Sequence, residues 1–469
     1  MPSSPNAKLG AGRLSGHPLL PAAVLATLLF SVGPAQAHAL SFAEALDAAR
    51  ANDAPYRAAG FEYEATRYGV PIARAQLLPA VSLNASNSAV TGSRRFPNAQ
   101  NQEVRTPLDY TAPQVSLNMR MPLFNFEALS AYRQAEAQSE VAEALYRTQG
   151  LDLVERLANA YMQTLLAEQA RLLYEAQVKT FEIQAAQAEQ RLQGGEGTRV
   201  QASQARATLD VARTRVLEAM DLLDQSRSRL ERLTGVPAAT TVSLPLRHIP
   251  TLLFPERLGD WLEMAVRQSP SLQVQERSRE VARQFARRQM SGHLPRIDLV
   301  ASLGRNENDS TNAIGQSTFV RSVGLQLSLP LYSGGGVDAS VQQAKLRQAQ
   351  VEEELRKERE TIELDVQRHY QAVVNGEKKL VAYIQALDST ALAVQGATRS
   401  LETGQGTMSQ VAEAQSVYYA SARDLAQARV ETLLSRTRLM LRVGMPLPEL
   451  ATEVDRFLVS APAQPQAPR

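Results

Sequence analysis

One stretch of the chain constrains the fold more than any other because it is too long for a compact domain. Residues 126–193 contain no proline, and Ala, Gln, Leu, Glu and Arg dominate them. An α-helix of that length extends roughly 100 Å at 1.5 Å per residue. Only 5% of the 469 residues are aromatic, so the composition gives no sign of a large compact core. The sequence therefore predicts long packed helices in place of several globular domains.

This long helix belongs to a pattern that occurs twice. Three segments recur after 209 residues: "NAYMQTLLAEQ" at 159–169 and "RHYQAVVNGEK" at 368–378, "QRLQGGEGTRV" at 190–200 and "RSLETGQGTMS" at 399–409, and "RSRLERLTGVP" at 227–237 and "RTRLMLRVGMP" at 436–446. We therefore predict two structural repeats, 38–237 and 257–446. A proline-rich linker, 238–256, joins them, and the segment 447–469 follows. The shared G-x-G-T motif predicts a hairpin tip, where a long helix turns back beside a shorter one.

Each repeat also carries two segments in which apolar and polar residues alternate. The apolar members are Val81, Leu83 and Ala85; Val115, Leu117, Met119 and Met121; Ile297, Leu299, Ala301 and Leu303; and Val323, Leu325, Leu327 and Leu329. A period of two predicts β-strands, and about ten residues is the length that crosses a bilayer at a tilt. A soluble amphipathic sheet is the alternative for any one strand considered alone.

Four strands cannot close a barrel, and an open sheet edge in lipid leaves unpaired backbone groups. Neighbouring chains must therefore supply the remaining strands. Two chains give eight strands, whose interior is filled by side chains, whereas three chains give twelve and leave room for a pore. A homotrimer, in which each chain contributes four strands, is therefore the smallest assembly that makes a channel.

Prolines occur where the predicted strands meet helices. They are Pro79, Pro122, Pro295 and Pro330. We predict that these four residues mark the junctions between the barrel and the helices. Phe124, Phe126 and Tyr332 lie beside two of them, where an aromatic belt at a membrane surface is expected.

The first 37 residues have the pattern of a secretory signal peptide: Lys8 and Arg13, then the apolar run 19–30, then "AQA" ending at Ala37. We therefore expect an exported protein. The chain contains no cysteine, which excludes disulfides, thiolate metal sites and a lipid-modified amino-terminal cysteine. An anchor in a membrane would then have to come from the chain itself.

Other classes of function find no support in the sequence. Removal of the two basic residues of the leader brings the formal net charge from +2 to 0, so nucleic acid is not an expected partner. The five histidines show no metal-ligand spacing, and "GGEGT" lacks the lysine of a phosphate-binding loop. We predict no catalytic residue, no metal site and no cofactor, and hence no enzyme.

The signal peptide, the duplicated pattern of strand hairpin and long helix, and the two G-x-G-T tips together resemble the TolC family of outer-membrane channel proteins. The resemblance covers residues 40–450. It implies a fold of α-helices with transmembrane β-strands, in which a trimeric, twelve-stranded barrel continues as a long periplasmic α-helical barrel. The linker 238–256 and the segment 447–469 would form an equatorial belt around the helices. We expect the end of the second segment to be a disordered tail.

The resemblance also implies the setting of the protein. It places the chain in the outer membrane of a Gram-negative bacterium, in contact with lipid and extending into the periplasm. Its expected partners are two further copies of itself, a periplasmic adaptor protein, and an inner-membrane ABC transporter or proton-driven pump.

In that family the hairpin tips close the periplasmic aperture. The matching positions here are Leu192, Gly195, Gly197, Gln201, Leu401, Gly404, Gly406, Gln410 and Glu413. The sequence departs from the family pattern, since leucines replace the tip tyrosines, Gly406 replaces an arginine, and only Glu413 keeps an acid. We expect packing of Leu401 or glutamine hydrogen bonds to replace the usual closing contacts, and three Glu413 carboxylates to form a cation-favouring ring.

Three functions remain at this point. The absence of a lipid-modified cysteine favours the exit duct of a type I secretion system, which passes a toxin-like secreted protein across the outer membrane. An alternative is the outer-membrane channel of a tripartite efflux pump for drugs or other small molecules. A third possibility, from another class, is a soluble periplasmic coiled-coil adaptor.

Overall fold

The computed structural model describes residues 40–97, 99–237, 257–310 and 313–459. The predicted signal peptide, the linker 238–256 and the last ten residues lie outside the described residues. The boundaries of the repeats therefore stay predictions.

The described elements follow the predicted order twice. The first half contains α1 (Phe42–Asn52), α2 (Ala54–Arg67), α3 (Gly69–Ala75), β1 (Ala80–Pro97), β2 (Glu103–Phe124), α4 (Phe126–Gln193) and α5 (Arg199–Thr234). The second half contains α6 (Leu258–Gln268), α7 (Pro270–Met290), β3 (Arg296–Ser310), β4 (Ala313–Ser328), α8 (Gly336–Glu402), α9 (Met408–Arg442) and, after the repeat, α10 (Leu447–Val459). The predicted fold class, helical with four strands in the chain and an internal repeat, is confirmed.

The segment before the strands is divided into separate helices in each half. Asp53 ends α1 and caps α2, because its carboxylate accepts a hydrogen bond from the Tyr56 backbone N–H at 3.0 Å. Pro270 begins α7, so the second segment divides into α6 and α7 at Ser269. A proline is well accommodated at the first position of a helix but interrupts a helix that precedes it.

The strands are longer than the predicted ten residues. They contain 18, 22, 15 and 16 residues in chain order. The apolar alternation marks only the part of each strand near the helices, whereas backbone pairing continues through the polar residues beyond it. Polar side chains do not prevent a backbone ladder in water, so the hairpins extend past the apolar band.

The strands form one antiparallel sheet in the order β1-β2-β3-β4. Its register aligns the apolar residues of all four strands in rows. One such row contains Val81, Met119, Ala301 and Val323. The neighbouring row on the opposite face contains Ser82, Asn118, Ser302 and Ser322. The sheet therefore has one apolar and one polar face, as a membrane-spanning sheet requires.

The main hydrophobic core includes buried residues of α1, α4, α6, α8, α9 and α10. Helices α1 and α9 pack on α4, α6 packs on α8, and α10 packs on α1 and α9. Tyr161 is fully buried there, meets the Phe42 ring edge to face at 5.6 Å, and donates a hydrogen bond to the Leu40 carbonyl at 2.6 Å. The Asp455 carboxylate of α10 accepts hydrogen bonds from the backbone N–H groups of Phe42 and Ala43. The start of α1 is thereby fixed to the end of the described chain.

Among the described residues, no helix combines the length and the apolar character that crossing a membrane would require.

Candidate functional site at the hairpin tips

The two hairpin tips are built in the same way. Each begins at a position whose backbone conformation strongly favours glycine. Gly195 follows the end of α4 with φ +77°, and Gly404 follows the end of α8 with φ +75°. Side chains make this left-handed conformation unfavourable, and glycine adopts it readily. The first glycine of each G-x-G-T motif therefore ends the long helix and reverses the chain.

The second glycine is required by close contact. The Gly197 N–H donates to the Arg191 carbonyl at 2.9 Å, and the Gly406 N–H donates to the Ser400 carbonyl at 2.8 Å. A β-carbon at Gly197 would lie 3.1 Å from the Leu192 nitrogen, and one at Gly406 would lie 3.0 Å from the Leu401 nitrogen. The tip backbone thus folds directly onto the last turn of the long helix.

The threonine and the glutamine of each tip start the returning helix. The Thr198 hydroxyl accepts from the Gln201 N–H at 3.3 Å, and the Gln201 Oε1 accepts from the Thr198 N–H at 3.0 Å. Thr407 and Gln410 repeat this capping box at 3.3 and 2.8 Å. These bonds satisfy amide groups that a helix start leaves free. The oxygens of Gln201 and Gln410 therefore cap the starts of their own helices, and a role of these glutamines in closing an aperture stays a prediction.

The remaining predicted tip residues lie close to these turns. Leu192 and Leu401 are half-buried in the last turns of α4 and α8, each against the second glycine of its own tip. Glu413 is exposed in the second turn of α9. Their roles at an aperture stay predictions.

A polar seam between α4 and α9, which the sequence did not predict, joins the two hairpins. The Thr180 Oγ1 lies 2.9 Å from the Tyr419 Oη, and the Gln184 Nε2 donates to the Gln415 Oε1 at 2.6 Å. We define the seam by these two pairs and by the hydrogen bond between Arg423 and Tyr174. Burial raises the pKa of Tyr419, so its hydroxyl stays protonated as a possible donor.

One signal in the sequence could have pointed to the seam. Gln415, Tyr419 and Arg423 are spaced four residues apart, so they share one face of α9. Long polar side chains on a buried helix face need partners, which predicts a facing polar helix. The pattern does not say which helix that is, because the partners lie about 230 to 250 residues away.

The four predicted junction prolines lie at one end of the sheet. Pro79 and Pro295 directly precede β1 and β3, Pro122 lies two residues before the end of β2, and Pro330 lies two residues after β4. Pro122 is paired with Asp298 in the ladder. Tyr332 and Phe124, at the same end, are 89% and 45% exposed. Exposed aromatic rings at this level suit the boundary between lipid and water.

An amphipathic four-stranded sheet continued by two long helical hairpins is the architecture of an outer-membrane channel subunit. The model of a family described as outer membrane efflux protein matches residues 45–236 and 261–445, and the chain belongs to that family. The structure of the CmeC outer membrane channel of Campylobacter jejuni has a similar fold, with a TM-score of 0.73 and 15% sequence identity over 89% of this chain and 90% of CmeC.

Two relatives match nearly the whole chain. The proteases secretion protein PrtF of Dickeya chrysanthemi is 30% identical over 447 residues, which are 94% of this chain and 96% of PrtF. The alkaline protease secretion protein AprF of Pseudomonas aeruginosa is 30% identical over 430 residues, which are 91% of this chain and 88% of AprF. The predicted location, a Gram-negative outer membrane with an extension into the periplasm, is confirmed. That location is inconsistent with a soluble periplasmic adaptor.

Proposed function

We propose that this protein is the outer-membrane exit duct of a type I secretion system and passes a secreted protein to the outside. The observation that carries the proposal is the similarity to PrtF and AprF, both described as protease secretion proteins, along almost the full chain. A secreted protease is accordingly the expected cargo, which narrows the toxin-like protein expected from the sequence.

The proposed duct is a homotrimer. The described sheet has β1 and β4 at its edges, and each edge presents backbone groups that need partners in lipid. Pairing β4 of one chain with β1 of the next satisfies both edges, and three chains then close a twelve-stranded barrel around a pore. The apolar face of the sheet contacts outer-membrane lipid, and the polar face lines the pore.

The hairpin tips are the proposed periplasmic entrance, where a periplasmic adaptor and an inner-membrane ABC transporter deliver the cargo. Exposed Glu413, near the second tip, would place three carboxylates around this entrance in a trimer. Such a ring favours cations. Equal ion selectivity of the wild type and Glu413→Gln in single-channel recordings would contradict this role.

A second function, the channel of an efflux pump driven by a proton-coupled transporter, follows from the efflux description of the family itself. A strain with this gene deleted distinguishes the exit duct from the efflux channel. Loss of a protease from the culture supernatant, restored by the gene in trans, is expected for the exit duct. An unchanged supernatant together with increased accumulation of a dye inside the cells would instead support the efflux pump.

A further inference from the structure

The polar face of the sheet carries more positive than negative charges. In an antiparallel sheet alternate residues of a strand share a face. Ser82, Asn118, Ser302 and Ser322 therefore each mark, in their own strand, the series of residues on the polar face. Within the described segments 80–96, 104–122, 296–306 and 318–328, that series contains four charged residues. They are Arg94, Arg120, Arg296 and Asp298. Three positive charges therefore face one negative charge.

Three of these residues form one cluster at the end of the sheet that meets the helices. The Arg120 Nε and Nη2 lie 3.1 and 2.5 Å from the Asp298 Oδ2, and the Arg296 Nε lies 3.3 Å from the same oxygen. Two guanidinium groups thus share one carboxylate. We call Arg120, Arg296 and Asp298 the junction cluster, and its formal charge is positive in every chain.

The positive charge of the junction cluster is accessible, whereas its negative charge is not. Asp298 is 2% exposed. The Arg120 and Arg296 side chains are 50% and 42% exposed. A buried carboxylate screens the guanidinium groups only on the side that it contacts, so their free N–H groups stay available to a passing anion.

The surroundings of the cluster add no compensating charge on this face. Its ladder partners on the adjacent strands are uncharged: Arg120 pairs with Ala80 and Val300, Asp298 with Gln326, and Arg296 with Ser328. Asp298 pairs with Pro122 in the ladder, which places the cluster at the level of the junction prolines. The positive charge is therefore concentrated where the pore passes from strands to helices.

We propose that three junction clusters form a positively charged collar inside the duct, which binds carboxylate groups of an acidic polypeptide as it passes. The inference rests on the proposed trimer, whose pore is lined by the polar face. Arginine suits this task because its planar fork of N–H donors matches a carboxylate. The collar makes the barrel prefer anions, in contrast to the preference expected of a Glu413 ring at the other end.

A charge series at this cluster tests the proposal in planar bilayers under a salt gradient. Arg120→Gln and Arg296→Gln each leave one arginine beside Asp298, and we expect the permeability ratio of chloride to potassium to fall several-fold. Asp298→Asn removes the only carboxylate of the cluster, and we expect the ratio to rise. Arg120→Lys keeps the charge and is expected to keep the ratio, even if its pairing geometry is poorer.

Arg321→Gln is the matched control, since Arg321 lies on the other face of the same sheet, stacked at 4.9 Å on Phe319. The permeability ratio of chloride to potassium of this variant should equal that of the wild type. A polyglutamate peptide should block the wild-type pore for longer than the Arg120→Gln pore, and polylysine should not discriminate between them. Channels that conduct normally with an unchanged ratio and unchanged block across the series would overturn the collar. A wild-type protein that forms no conducting channel would overturn the proposed duct instead.

Discussion

The hydroxyl oxygens of Thr180 in α4 and Tyr419 in α9 lie 2.9 Å apart, and this bond joins the two hairpins through residues 239 positions apart in the chain. One helical turn nearer the tips, Gln184 and Gln415 make a second bond. Both pairs lie outside the main core, and Tyr419 belongs to a smaller apolar cluster that includes Leu173. We therefore predict that the seam limits how easily the hairpins separate near their tips.

We expect Tyr419→Phe to loosen the seam without disturbing its packing. The substitution removes one hydroxyl, and a neutral hydrogen bond contributes about 1 kcal/mol, or about fivefold in an equilibrium between joined and separated hairpins. Single-channel conductance should rise, and more so when Gln415→Ala is added. Tyr418→Phe, on the neighbouring residue, is the control, and an equal rise in that variant would mean that the seam is not responsible.

We expect Gly406→Ala to distort the second tip. An added β-carbon would lie 3.0 Å from the Leu401 nitrogen and from the Ser400 carbonyl carbon, both of them backbone atoms that cannot move alone. Limited proteolysis should cut the variant faster at residues 400–410, and Gly197→Ala should have the same effect at the first tip.

Gly396→Ala is the control for that experiment. Gly396 lies inside α8 with no atom within 4 Å of an added β-carbon, and alanine is favoured over glycine in a helix by about 1 kcal/mol. This variant should resist the protease at least as well as the wild type. If Gly406→Ala does so too, the close approach at the tip carries no strain.

Acid should weaken the contact between α2 and α4. The Asp53 carboxylate receives two hydrogen bonds of 2.9 Å from Arg156, and this pairing holds the pKa of Asp53 below its ordinary 3.8. A carboxyl with a depressed pKa contributes stability that is complete above the ordinary value and is lost as the pH falls through the folded-state value. The melting temperature should therefore fall more steeply below pH 3.8 in the wild type than in Asp53→Asn.

Asp53→Asn should also lower the free energy of unfolding at neutral pH by about 2 kcal/mol, because hydrogen bonds to charged groups contribute about that much. Asp47→Asn is the control, since the Asp47 side chain is 79% exposed and pairs with Arg50 only at 3.5 Å. Its melting curve should follow that of the wild type at every pH. Identical pH profiles for Asp53→Asn and the wild type would contradict the assignment.

Replacing Arg429 should stabilise the protein. This side chain is 3% exposed, its Nη1 has no hydrogen-bond partner, and burial lowers its pKa to about 10. A buried polar group without a partner costs about 1–3 kcal/mol, and methionine keeps the aliphatic packing without that cost. Arg429→Met should raise the melting temperature. Arg423→Met, which loses a 2.8 Å bond to Tyr174, should lower it; the opposite order would refute the prediction.

Features specified by local sequence were predicted closely. The bounds of α4 match the proline-free run 126–193, because Asn125 caps its start and Gly194 ends it. The G-x-G-T motif was sufficient to predict the tips. The left-handed glycine and the capping threonine that form each tip lie within a few residues of each other. The strands were found wherever their apolar residues alternate.

Features that depend on distant residues were not predicted. The break at Asp53 is reinforced by Arg156, which lies 103 residues away. The seam and the junction cluster join residues more than 170 positions apart, so no local pattern contains both partners. The strand ends were missed because they depend on ladder pairing with a neighbour and not on side-chain polarity.

The length of α4 has a mechanical consequence. Beyond Leu165, the last of its residues in the main core, the helix continues for 28 residues to Gln193. That segment is a lever arm of about 42 Å at 1.5 Å per residue, so a rotation of about 10° around Leu165 displaces the tip by about 7 Å. If the tips bound the entrance of the proposed duct, a rotation too small to disturb the main core would widen that entrance, and the seam is the contact that would resist the rotation.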